Sequence, residues 1–136
     1  MTVPTTFADF VEEWDALADD PDDRYRLLID LGRALPPMDA AFKTEATRVR
    51  GCASQVWLFP TRADDRLHFD ADSDAAIVKG LVALVLLRVQ DQSATAIDVA
   101  AVKAELDALG LAKHLSSNRT QGLASMLARI GELAAT

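Results

Sequence analysis

Cysteine, histidine and positive charge are all scarce in this sequence, and each shortage excludes something. Cys52 is the single cysteine among 136 residues. It cannot form an internal disulfide, so the chain does not read as a disulfide-stapled secreted domain. Nor can one thiolate hold an iron–sulfur cluster by itself. His68 and His114 are the only histidines; neither has a second ligand at metal spacing, and a zinc site wants about four ligands. Lys and Arg number 14 against 21 Asp and Glu, a formal net charge of −7. That balance argues against sequence-independent binding of nucleic acid, which rests on a basic surface. The longest apolar run, Ala75 to Val89, is broken by Lys79 and Arg88. It falls short of the roughly 20 residues a membrane span needs. Lys79 and Gly80 lie in a helical pattern and do not form the phosphate loop that ends in Lys-Ser/Thr. The acidic N-terminal stretch lacks a basic segment followed by an apolar one and does not read as a signal peptide. The expectation is a cytoplasmic protein.

What is present suits one globular domain spanning 1–136: half the residues are hydrophobic and 26% are charged. Phe7, Phe10, Val11, Trp14 and Leu17 recur at helical spacing behind Thr6, a helix-capping residue. Asp20 followed by Pro21 starts a second helix that Pro36 and Pro37 end. A short helical segment is expected around Ala40 to Glu45. The segments Ala46–Val49, Ser54–Arg62 and Arg66–Asp72 then read as a short antiparallel meander. In its last strand Leu67 and Phe69 alternate with Arg66, His68 and Asp70. Ser73 or Asp74 is expected to cap an apolar helix running to about Val89. A further helix ends near Gly110, and Ser116 or Ser117 caps the last one, with Leu123, Met126, Leu127 and Ile130 as its apolar stripe. Trp14 and Trp57 are expected in the core. The predicted class is α+β, a small three-stranded antiparallel sheet with helices packed on one side.

Cys52 sits in the stretch VRGCASQVWL, between Gly51 and the residues Ala53, Ser54 and Gln55. A free cysteine ordinarily behaves as a small buried hydrophobe. Here the neighbours are turn-formers: Gly51 permits a tight bend, and loops between strands are where reactive groups are displayed. Arg50, next to the Gly-Cys pair, would favour the nucleophilic thiolate. Arg119 falls in the first turn of the last helix, where a cation opposes the helix dipole. Its ordinary role is that of an exposed arginine; its sharper role is to face an anion such as a thiolate or persulfide. Asp74 is explained by capping and could also form an acidic spot for a partner.

Four blocks, LGRALPP (31–37), VRGCASQVWL (49–58), DSDAAIVKGL (72–81) and HLSSNRTQGL (114–123), resemble in order and spacing the SufE/CsdE family of sulfur acceptors for cysteine desulfurases. The resemblance implies an α+β fold like that of the IscU-type cluster scaffold, although the scaffold's other cysteines are absent here. It implies that Cys52 takes the outer sulfur of a persulfide from a pyridoxal-phosphate-dependent desulfurase of the SufS/CsdA kind. Cys52 would stimulate that enzyme and relay the sulfur to a downstream iron–sulfur scaffold or acceptor. The chain would be a partner and activator, not a stand-alone enzyme. It would bind no cofactor or metal of its own, no membrane and no nucleic acid, and would be a monomer or homodimer. Arg119 matches the arginine the family places near its cysteine. From the residues themselves, Gly51, Ser54 and Gln55 are expected to support the loop around Cys52, and Arg50 and Asp74 are candidate partner contacts. Two positions depart from the family pattern: Arg50 replaces a usual proline, and Ala71 a frequent glycine. A loop that tucks toward the apolar surface and swings out would shield the persulfide between encounters. A different class of function also fits one reactive cysteine, namely a redox-regulatory or adaptor protein in which Cys52 forms a sulfenic acid or an intermolecular disulfide.

Overall fold

The computed structural model describes residues 3–136, in which two helices precede a hairpin of two strands and three further helices follow, with a short third strand after the first of them. Helix α1 spans Phe7–Ala16 and is capped by Thr6, whose hydroxyl accepts from the Asp9 amide at 3.1 Å. Helix α2, Pro21–Arg33, starts behind Asp20, whose carboxylate accepts from the Asp23 amide at 3.1 Å. A single 3₁₀ turn, Ala40–Phe42, follows. Strands β1 (Val56–Ala63) and β2 (Arg66–Ser73) form an antiparallel hairpin in which Val56 faces Ser73 and Ala63 faces Arg66. Helix α3 is Ala76–Val89, β3 the short strand Gln92–Ser93, α4 Val99–Ala108 and α5 Ser117–Ala135. The sheet order is β1-β2-β3.

The sheet is three-stranded and antiparallel as expected, but its third strand is not the one the sequence pointed to. Ala46–Val49 contributes only an isolated bridge, Arg48 to Trp57. The third strand is instead Gln92–Ser93, paired with Arg66 and Leu67. Physically, the 46–49 segment holds β1 through just two backbone bonds, Leu58 N–H to Thr47 O and Val49 N–H to Val56 O. Its following residues turn away into the cysteine loop.

Burial follows the period-2 and period-3.6 patterns. Leu67, Phe69 and Ala71 of β2 and Val56 and Leu58 of β1 face inward, while His68 points to solvent. Helix α3 is apolar on all sides because it lies at the centre: Leu81, Val82, Leu84 and Val85 are at most 1% exposed. It crosses α2 backbone to backbone. A Cβ on Gly80 would stand 2.2 Å from the Leu28 carbonyl oxygen, so the missing side chain sets the helix separation. Trp14 is fully buried and its indole N–H donates to Leu109 O at 2.8 Å. Trp57 is not in the core as expected: it is half-buried, with the Lys43 ammonium 5.3 Å from its ring centre.

The α3 start also differs from the expected cap. Neither Ser73 nor Asp74 caps it; the N-cap is Ala75, without a side-chain bond. Ser73 is used as the last residue of β2, and Asp74 is used by the cysteine loop. The last helix is capped as expected, by Ser116, whose Oγ accepts from the Arg119 amide at 3.3 Å. No helix among the described residues is long and apolar enough to cross a membrane.

Candidate functional site

The cysteine loop, Arg50 to Gln55, is closed at its base by the Val49 N–H to Val56 O bond of 2.8 Å. Both valines are buried, so the loop grows from a fixed platform. On its far side Asp74 ties Gln55 twice: its carboxylate accepts the Gln55 amide at 3.0 Å, and its own amide donates to Gln55 O at 3.3 Å. Gly51 makes the bend at a φ of 91°, and a Cβ there would stand 2.5 Å from Ser125 Oγ on α5. The positive φ disfavours a side chain, and the Ser125 hydroxyl would have to move to admit one.

This bend turns Cys52 back against α5. Its Sγ donates to the carbonyl oxygen of Gly122 at 3.5 Å and lies 3.6 Å from where a Gly122 Cβ would be. The thiol is half-buried and packs on the edge of the core. Burial pushes its pKa up, and the charge of Arg48 pulls against that shift. The cation acting on the thiol is therefore Arg48, which sequence reasoning did not single out, and not its neighbour Arg50. Arg48, Arg50, Gly51 and Cys52 share a cavity of about 230 Å³ with Glu45.

The other sequence-predicted residues fall as follows. Arg50 is exposed. Ser54 and Gln55 lie on the loop's return arm, Ser54 half-buried and Gln55 exposed. Arg119 is exposed in the first turn of α5, one helical turn before Gly122; its backbone amide bonds Ser116. His68 bonds Asp91 through Nδ1 at 2.8 Å on the solvent face of the sheet. His114 bonds the Arg24 guanidinium at 3.1 Å, and its carbonyl accepts from the Tyr25 hydroxyl. Both histidines are thus engaged away from Cys52. Among the described residues no three His, Cys, Asp or Glu side chains are grouped to hold a metal ion.

Behind the loop lies a second network. Asp72, whose side chain is 14% exposed, accepts from Lys43 Nζ at 2.6 Å, Lys79 Nζ at 3.3 Å and the Ser73 amide at 2.8 Å. Burial raises its pKa, but those hydrogen bonds outweigh the burial and hold the carboxyl below its ordinary value. The network fastens the 39–47 segment to the sheet and to α3.

Residues 8–134 match the family described as SufE, Fe-S metabolism associated domain. The chain is 43% identical over 118 residues to an uncharacterized SufE-like protein of Rhizobium etli, covering 84% of this chain and 80% of that one. It is 37% identical over 123 residues to the sulfur acceptor protein CsdE of Escherichia coli, covering 90% of this chain and 78% of the other. The solution structure of a hypothetical protein from Thermus thermophilus superposes with a TM-score of 0.72 at 18% identity, over 98% of this chain and 96% of that one; this likeness concerns the fold. With a matched region that spans α1 to α5 and includes the cysteine loop, the chain belongs to the SufE family.

Proposed function

We propose that this protein accepts sulfur on Cys52 from a cysteine desulfurase, stimulating that enzyme, and relays it toward iron–sulfur cluster assembly in the cytoplasm. The observation that carries the reading is a lone cysteine at the bend of a short loop, anchored at both ends and folded against α5. Family membership and the similarity to a sulfur acceptor support it. The pyridoxal phosphate belongs to the partner enzyme.

The chemistry balances without any outside oxidant. The Cys52 thiolate attacks the outer sulfur of the donor's persulfide, a new S–S bond forms on Cys52, the donor's S–S bond breaks, and the donor cysteine leaves as a thiolate. The proton lost by Cys52 goes to that leaving thiolate. In the free protein the thiol is held protonated by burial and by the Gly122 carbonyl, which keeps it quiet until a donor draws the loop outward. Peroxide reactivity far above that of a free thiol, in the absence of any desulfurase, would favour the redox-sensor reading instead.

Intact-protein mass spectrometry after incubation with a cysteine desulfurase, pyridoxal phosphate and L-cysteine tests the proposal. The expected result is a gain of one sulfur atom that maps to Cys52 and is removed by reductant. No gain with a desulfurase shown to be active would reject it. Cys52→Ser is expected to fold and bind the desulfurase without accepting sulfur. Arg119→Ala is expected to slow transfer while leaving stability within about 0.5 kcal/mol, as for other exposed substitutions. A transfer rate equal to wild type would return Arg119 to the ordinary surface.

A further inference from the structure

Charge is segregated along this chain. Residues 43–52 and 111–129, the two segments that enclose Cys52, hold six of the 14 Lys and Arg but only one of the 21 acidic residues, Glu45. They carry net +5 in a chain whose total is −7, which leaves −12 for the rest. Part of this positive charge is already used, since Lys43 is bound by Asp72. Arg48 meets Glu45 at 3.6 Å and Arg129 meets Glu132 at 3.0 Å. Both are exposed pairs of the kind that contributes little and is readily exchanged for another partner. Arg50 has no ion pair among the described residues.

The surface between these arginines is concave and continuous. The cavity at Cys52 shares Glu45, Arg48 and Arg50 with a groove of about 440 Å³ that extends to Arg129, Ser125 and Ala128. That groove shares Ser125 and Ala128 with a third one of about 720 Å³ along α5, which ends at Leu115 and Ala112. One track thus leads from the thiol past Arg48, Arg50 and Arg129, with Glu45 and Glu132 beside them as their exchangeable partners, onto a mixed floor in which Ala124, Ala128 and Leu115 lie among Thr120 and Gln121.

We propose that this track docks an extended segment of the sulfur donor protein, with acidic side chains next to its persulfide-bearing cysteine and an apolar side chain beyond them. The proposal rests on the acceptor function above and identifies the surface that function uses. Arg50 and Arg129 set the charge preference of the track, and the small residues Ala124, Ser125 and Ala128 let the partner backbone approach α5. An acidic segment would find an oppositely charged landing place on a protein that elsewhere repels it. That geometry steers encounter more than it adds affinity.

The test compares Arg50→Glu/Arg129→Glu with Arg26→Glu/Arg33→Glu. The second pair makes the same change in charge at exposed α2 positions that line none of these grooves. Affinity for, and sulfur uptake from, a cysteine desulfurase shown to be active on L-cysteine are measured at low and high salt. The track variant is expected to bind about tenfold more weakly at low salt, with the gap narrowing as screening grows, while the α2 variant stays within about twofold of wild type. Should the track variant lose its fold by circular dichroism, Arg50→Gln/Arg129→Gln replaces it, with a loss of about threefold expected. Equal binding by the track and α2 variants, with wild-type uptake intact, overturns the docking surface alone. A wild type that takes up no sulfur overturns the acceptor function and the surface with it.

Discussion

The Sγ of Cys52 donates to the carbonyl oxygen of Gly122 at 3.5 Å, joining the loop to a helix 70 residues further along. A thiol in that role is protonated, and burial favours the same state against the opposing charge of Arg48. Alkylation of Cys52 by iodoacetamide should therefore rise about tenfold per pH unit up to a midpoint above that of an ordinary cysteine. Arg48→Ala should move the midpoint further up and slow alkylation at pH 8 by about twofold to threefold. The sign for stability follows: the unfolded thiol ionises first. The contribution is whole below the unfolded pKa and is lost as pH rises through the folded one. Urea melts of wild type and Cys52→Ser across the alkaline range would show that slope in the wild type only. A midpoint at or below the ordinary thiol value contradicts the geometry.

Gly122 supplies the wall against which the thiol rests. Its Cβ, if present, would stand 3.6 Å from Sγ and 3.9 Å from the Cys52 Cβ, which are ordinary contacts. Gly122→Ala should then be tolerated, and relief of the glycine cost within a helix stabilises by about 0.5–1 kcal/mol. That is a rise in Tm of about 2–5 °C by calorimetry. Sulfur uptake should nevertheless slow several-fold, because the outer sulfur sits about 2.05 Å beyond Sγ and the added methyl takes up room beside it. Uptake at the wild-type rate would mean that the outer sulfur points away from α5, into the cavity with Arg48 and Arg50.

The fold was legible where local chemistry decides it. Thr6, Asp20 and Ser116 cap the helices they were expected to cap, because a capping bond needs only residues three apart. The failures are all non-local. Ser73 and Asp74 look like caps, yet one completes β2 and the other reaches the amide of Gln55, 19 residues away. Gln92–Ser93 is too short to show a strand pattern and pairs only because the α3 exit returns it to β2. The site reading had the same limit. Cys52 and its turn stand out by composition, whereas the influence of Arg48 depends on a backward loop path that spacing alone does not reveal.

Asp72 gives a stability prediction that is independent of the thiol. Asp72→Asn loses the ion pairs to Lys43 and Lys79 and leaves two partly buried ammonium groups facing a neutral amide. The expected cost is about 1–3 kcal/mol at pH 7, read from urea midpoints. The wild-type carboxyl is held below its ordinary pKa. Its contribution is therefore present above the unfolded value and lost as pH falls through the folded one. The two proteins should converge in stability at strongly acidic pH. A gap that persists there would assign the effect to shape and hydrogen bonding, with charge playing no part.

Asp74→Ala separates the loop's tie from the protein's stability. The substitution removes the carboxylate that accepts the Gln55 amide at 3.0 Å but leaves the Asp74 N–H to Gln55 O bond and the Val49–Val56 closure in place. Asp74 is exposed, so the global loss should be no more than about 1 kcal/mol. Local opening is another matter, since a short loop with few buried contacts opens at a small free energy set by its own ties. Hydrogen exchange of the Gln55 amide and alkylation of Cys52 should both speed up several-fold, while exchange at Val56 and Leu58 stays slow. If Gln55 exchanges faster and Cys52 does not, the thiol is sheltered by its contact with Gly122 and not by the loop's far anchor. A desulfurase would then have to break the α5 contact itself to reach the sulfur.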